Sequence, residues 1–188
     1  MRHKQAWRIC LFWLSCLLSS GTLALELDSF PGGLVPGSEM ILFEDPTAEL
    51  DFDEARARLS NAGLPWVAPG QPNLGYRRSA LWVRVDLANR FDEPRDWVAY
   101  IGFPNLDRVD FYYQDAAGNW QTHAAGSALP FRARHLMHRS INFEFQVLPS
   151  EPMSIYFRVE STGSLQFPLS LASTTLFASE AQRTLFTS

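Results

Sequence analysis

Ser79-Ala80-Leu81-Trp82-Val83-Arg84-Val85-Asp86-Leu87 is the stretch whose reading decides the fold. Leu81, Val83, Val85 and Leu87 alternate with Trp82, Arg84 and Asp86. Successive side chains of a strand point to opposite faces, so one face here is aliphatic and the other carries a Trp, an Arg and a carboxylate. That pattern is a half-buried strand. The same period recurs downstream. Val109, Phe111 and Tyr113 alternate with Arg108, Asp110 and Tyr112. Ile141, Phe143, Phe145 and Val147 alternate with Ser140, Asn142, Glu144 and Gln146. Met153, Ile155, Phe157 and Val159 alternate with Ser154, Tyr156, Arg158 and Glu160.

Between these lie further strands and the turns that join them. Trp97 to Phe103 is a more apolar strand, and Asp115-Ala116-Ala117-Gly118-Asn119 is a hairpin turn into Trp120-Gln121-Thr122-His123. Pro149 and Pro152 bracket another turn, and the run from Phe167 to Phe177 reads as a last apolar strand. Upstream, Glu39 to Glu44 reads as a first strand, ended by Asp45-Pro46. Residues 47–62 hold the one helical pattern: Asp51 as cap, Glu54 three residues on, Phe52, Ala55 and Leu59 on one face, Gly63 as stop. Residues 64–75 are a connector rich in Pro and Gly. Short alternating strands separated by turn signals predict an all-β sandwich of the jelly-roll class with one short helix.

The N-terminus carries its own signal. Arg2, Lys4 and Arg8 precede an apolar run, Ile9 to Leu18, and then Thr22-Leu23-Ala24. A charged start, a short apolar run and small residues at the end predict a secretory signal peptide over residues 1–24. The run is too short to cross a hydrocarbon core of about 30 Å as a helix. Both cysteines, Cys10 and Cys16, lie inside it, so processing leaves no disulfide, thiolate metal site or cysteine nucleophile. Removing residues 1–24 leaves 13 cations, all Arg, against 20 acids, a net charge of −7. A domain that acidic is a poor nucleic-acid binder, and no nucleic-acid partner is expected.

No nucleophile elbow, paired-histidine zinc helix or phosphate loop occurs, so the chain reads as a binding module and not an enzyme. If aliphatic residues face the core, Trp82, Arg84, Tyr156, Arg158 and Glu160 face outward. An aromatic ring beside Arg and carboxylates suits a carbohydrate, the ring under the sugar face and the charges on its hydroxyls. Arg132, Arg134, His138 and Arg139 add donors suited to an anionic ligand or sugar acid. The candidate ligand-binding residues are Trp82, Arg84, Arg132, His138, Arg139, Tyr156 and Arg158. A structural reading stands beside this one: Trp82 belongs to a second small core under the connector, and Arg84 and Arg158 pair with Asp86 and Glu160. No cofactor is expected. Calcium is a further alternative, because Glu44, Asp45, Glu49, Asp51, Asp53 and Glu54 crowd together, though without the EF-hand pattern.

Asn73-Leu74-Gly75-Tyr76 followed by Ser79 to Leu87 resembles a hallmark of the 7TMR-DISM extracellular 2 family. Asp107 to Tyr112, Gly126, Pro130-Phe131-Arg132, His138-Arg139, Phe143-Glu144-Phe145 and Ile155 to Leu169 continue the resemblance in order. It implies a jelly-roll sandwich similar to carbohydrate-binding modules. It also implies a periplasmic sensor at the inner membrane, which in a complete receptor precedes seven membrane helices and a kinase, cyclic-di-GMP or similar output. On this reading residues 25–177 are the sensor and 178–188 a tail leading to a membrane helix that the chain does not contain. The competing expectation is a periplasmic protein-interaction or homodimerisation domain without a small-molecule ligand.

Overall fold

In the computed structural model, residues 24–27, 33–68, 70–129, 141–149 and 152–179 are described. In chain order the elements are β1 (Leu25–Leu27), β2 (Met40–Asp45), α1 (Phe52–Ala62), β3 (Leu64–Pro65) and β4 (Asn73–Tyr76). Then come β5 (Ala80–Asn89), β6 (Arg95–Ile101), β7 (Arg108–Gln114) and β8 (Trp120–Ala125). The last are β9 (Ile141–Val147), β10 (Pro152–Glu160), β11 (Ser164–Gln166) and β12 (Leu169–Ser173). The alternation of residues 81–87 becomes the middle of the larger sheet, ordered β3-β2-β5-β10-β7-β8, with β1 parallel to the far end of β5. A second sheet, β12-β6-β9, faces it, and β11 pairs with β4 in a small ribbon. Apart from β1, the pairings between named strands are antiparallel.

The core fills the space between the two sheets. Leu81, Val83, Val85 and Leu87 of β5, with Phe111 of β7 and Phe157 of β10, pack against Trp97, Ile101, Phe143, Phe145, Leu169 and Leu171. Phe111 crosses the gap, its ring 5.1 Å from that of Phe143 and 5.5 Å from that of Phe145. Each such buried side chain contributes about 1.5–3 kcal/mol of transfer free energy. This is the all-β sandwich expected from the alternating strands.

Two stretches differ from the expectation. The apolar run from Phe167 to Phe177 is not one strand. Pro168 has no N–H for a ladder, and the chain changes partners there: β11 pairs with β4 and β12 with β6. Residues 174–179 then turn into a helical segment. It returns Phe177 onto Val98 and Ala172 on the outer face of the second sheet, 5.4 Å from the Tyr100 ring. The connector is also more ordered than its composition suggests, since β3 and β4 both lie in it.

Helix α1 forms as its ends dictate. The Glu54 N–H donates to Asp51 Oδ1 at 2.9 Å, and the Asp51 N–H donates to Glu54 Oε2 at 3.2 Å, closing a capping box. Gly63 ends the helix in an extended conformation. Its glycine is required by space: a Cβ there would stand 2.5 Å from Ile41 Cγ2 and 2.5 Å from the Leu59 carbonyl oxygen.

Candidate functional site

Strand register brings four of the sequence-predicted site residues together. Tyr156 lies opposite Arg84, and Arg158 opposite Trp82, on neighbouring strands. They share the outer face of the larger sheet. That face is covered. Trp82 is 0% exposed and Tyr156 6% exposed, beneath α1. Phe52, at the first helical position, sits in a box of aromatic rings. It stacks on Tyr112 at 4.3 Å and 6°, and meets Trp120 and Tyr156 edge-on at 4.7 and 5.4 Å. Burial pushes the phenols of Tyr112 and Tyr156 up. The cover over Trp82 is therefore the helix rather than the connector, and no sugar ring reaches the indole face in this conformation. Among the described residues the buried indole Nε1 meets no acceptor, and a buried donor left unpaired costs about 1–3 kcal/mol of desolvation.

The two arginines of this face are tied into it. Arg84 Nε stands 3.3 Å from Asp86, and its guanidinium reaches Ser60 on α1 at 3.4 Å. Arg158 donates to the Ala48 carbonyl at 2.8 Å, pairs with Glu160 at 2.5 Å, and lies 3.7 Å from Asp110. Asp110, 3% exposed, also accepts from Arg108 Nε with both oxygens at 2.9 Å. The remaining predicted residues, Arg132, His138 and Arg139, lie outside the described residues, as does the neighbouring Arg134.

An open cleft lies elsewhere, at one end of the sandwich. Because β5, β10, β7 and β8 are antiparallel neighbours, the start of β5, the end of β10, the start of β7 and the end of β8 meet at one edge. Arg77, Arg78, Ser79, Asp107, Arg108, Ala128, Leu129, Glu160, Ser161 and Thr162 line a space of about 850 Å³ there. Its polar groups come in two kinds. The acids are spoken for: Asp107 Oδ2 accepts from the Thr162 N–H at 2.6 Å and the Thr162 hydroxyl at 2.7 Å, and Oδ1 from Ser127 at 3.3 Å. Those donors hold the Asp107 carboxyl below the ordinary range. Glu160 is held by Arg158. Of the arginines, Arg78 is exposed and makes no ion pair or hydrogen bond among the described residues, while Arg108 is paired with Asp110 through Nε. Arg77 donates Nε to the Leu74 carbonyl and lies 3.7 Å from Glu44.

The backbone at this edge is built around Gly126. Its φ is +142°, and a Cβ would fall 2.2 Å from the Asp107 carbonyl oxygen, so only glycine lets the end of β8 close onto Asp107. The Ala128 N–H then donates to that carbonyl at 3.0 Å and the Ser127 N–H to Leu106 at 2.8 Å. Sequence reading quoted Asp107, Gly126, Ser161 and Thr162 as motif residues without placing them in a site, and it passed over Arg77 and Arg78. The available signal was topological: each stands at a strand end, and antiparallel neighbours bring those ends together.

The acidic stretch from Glu44 to Glu54 bears on the calcium alternative. Among the described residues no three side chains of His, Cys, Asp or Glu gather where a metal ion could be held. Asp45 is buried and organises the loop before α1, accepting from Thr47 at 2.8 Å and from the Leu50 N–H at 3.0 Å. Burial opposes its ionisation, and these hydrogen bonds outweigh burial to hold its carboxyl low.

Among solved structures, the fold is similar to TmCBM61 in complex with β-1,4-galactotriose, at 11% identity over 71% of this chain and 88% of that one, TM-score 0.39. It is also similar to CBM32-3 from a family 31 glycoside hydrolase of Clostridium perfringens, at 9% identity over 73% and 92% of the two chains, TM-score 0.27. A 4-O-methyl-α-glucuronidase of family GH115, BtGH115A, with specificity for decorated arabinogalactans, is matched over 66% of this chain and 21% of its own, at 12% identity and TM-score 0.30. No curated protein matches the chain. The model of the family 7TMR-DISM extracellular 2 matches residues 37–173, which span both sheets, α1 and the end cleft, and the chain belongs to that family of extracellular domains.

Proposed function

We propose that this is the periplasmic ligand-sensing domain of a bacterial signal-transduction receptor. It binds a carbohydrate or related small hydroxylated molecule in the end cleft, and in a complete receptor that event regulates a kinase or cyclic-di-GMP output. The chain is a binding domain and not a catalyst. The observation that carries the reading is the cleft itself: about 850 Å³, open, lined by hydroxyls and guanidinium groups, and built from strand ends within the family match. A space of that size suits a mono- or disaccharide-sized ligand. Hydrogen bonds and an ion pair hold Asp107, Thr162 and Glu160 in place, while Arg78, exposed and unengaged among the described residues, is available to a ligand.

The test is the unfolding midpoint of the full chain against neutral and acidic mono- and disaccharides. A ligand that binds only the folded chain stabilises it by about 2.7 kcal/mol at a hundredfold excess over Kd. At least one sugar is expected to raise the midpoint, and the double variant Arg77→Ala/Arg78→Ala to weaken that sugar at least tenfold. If no sugar of either kind shifts the midpoint, the sensing reading is wrong.

A further inference from the structure

Resting on that reading of the cleft, we infer that its ligand is anionic: a hydroxylated molecule bearing a carboxylate, sulfate or phosphate, such as a sugar acid, bound in preference to its neutral parent. The argument is one of unspent donors. The cleft brings Arg77, Arg78 and Arg108 together with Asp107 and Glu160. The two acids already have partners within the protein: Asp107 accepts from Thr162 and Ser127, and Glu160 pairs with Arg158. The arginines keep donors in reserve. Arg78 has its whole guanidinium unengaged among the described residues, and it is exposed. Arg108 uses Nε on Asp110, while its terminal nitrogens make no hydrogen bond among those residues. Arg77 holds a carbonyl through Nε and reaches Glu44 only at 3.7 Å. The charges around the cleft balance, Arg77, Arg78, Arg108 and Arg158 against Glu44, Asp107, Asp110 and Glu160, but the hydrogen-bond donors left over at its open side are guanidinium N–H groups.

A neutral ligand would meet those guanidinium donors with weaker hydrogen bonds than an anion. An anionic group meets them with charge-assisted hydrogen bonds, which are about twice as strong as neutral ones, and a guanidinium presents its donors in a fork that fits carboxylate and phosphate. The hydroxyl requirement comes from the other wall. Ser161 and Thr162 carry hydroxyls, and the Glu160 oxygens retain lone pairs for a ligand O–H. Tyr76, the last residue of β4 and 83% exposed, immediately precedes Arg77 in the chain.

Matched pairs test this on the full chain by calorimetry: galactose against galacturonic acid, glucose against glucuronic acid, and galactose against its 6-sulfate and 6-phosphate, with acetate and inorganic phosphate alone. At least one acid is expected to bind ten times more tightly than its neutral parent. That gap should shrink as salt is raised from about 20 to about 300 mM, because exposed charges are screened. Arg78→Gln should cut the gap below threefold, whereas Arg58→Gln, on the exposed side of α1 and outside the cleft, should leave it intact. The 6-sulfate and 6-phosphate arms say which anion is preferred, each counting as support. A neutral sugar binding as tightly as its acid overturns anion selectivity and leaves the sensing reading standing. Acetate or phosphate binding as tightly as the sugar acids overturns the hydroxylated part of the inference. Failure of every sugar, neutral and acidic, overturns both.

Discussion

Thr162 gives Asp107 two of its hydrogen bonds and Ser127 a third, and the carboxylate joins the end of β10 to the turn before β7. Because those donors lower its folded pKa, the sign of the pH effect follows. The stability contributed is fully present above the unfolded aspartate value of about 3.9 and is lost as pH falls through the lower folded value. The urea midpoint is therefore expected to fall as pH is lowered through about 4 to about 2. Asp107→Asn should flatten that part of the profile, since an amide does not titrate. An unchanged slope in the variant would place the acid sensitivity in other carboxylates, with Asp45 the next to examine because its hydrogen bonds also hold it low. At this scale the sequence was partly legible. Asp107 and Gly126 stood out as motif residues. The reason for Gly126, a carbonyl 2.2 Å from where a Cβ would lie, comes from a contact with residue 107 that local sequence does not encode.

At the scale of the element, α1 shows which half of a helix can be read from sequence. Its start was legible because a capping box is local: Asp51 and Glu54 satisfy each other within one turn. Its landing place was not. Parity sends Trp82 and Arg84 outward from one strand and Tyr156 and Arg158 outward from another, and only the pairing of β5 with β10 puts the four on one face. Periodicity says only that a side chain leaves the core, and nothing about what arrives from elsewhere to cover it. Phe52 is the residue that ties α1 down, set among Tyr112, Trp120 and Tyr156. Phe52→Ala is expected to cost about 2–4 kcal/mol, toward the lower part of the range for phenylalanine because the ring is only half-buried. The near-ultraviolet circular dichroism of the aromatic cluster should weaken and tryptophan emission shift to the red as Trp82 and Trp120 meet water. A small loss of stability with an unchanged aromatic spectrum would mean that α1 is held by Ala55 and Leu59 instead.

For the whole molecule, the two sheets are joined through aromatic packing at the centre. Phe111 touches Phe143 and Phe145 of the facing sheet and Phe157 of its own. Phe111→Ala should cost about 3–5 kcal/mol and lower the midpoint of a single cooperative transition. Two separated transitions would show instead that the sheets unfold independently.

Fold class was legible because strand alternation is a local property with a global consequence: a sheet with one apolar face has to meet another. Residues 141–147 alternate, and β9 occupies that span. The run from Phe167 to Phe177 was misread because apolar composition does not record a change of partner, and Pro168 is where that change occurs. The sequence by itself determined the alternating strands, the helix cap and the family, all carried by neighbours along the chain. Tertiary structure alone decided that the aromatic face of β5 and β10 is roofed by α1, and that Arg77, Arg78, Asp107, Arg108 and Thr162 line one cleft. The physical reason is common to both: these are contacts between strand ends and faces many residues apart, set by antiparallel pairing rather than by any local spacing.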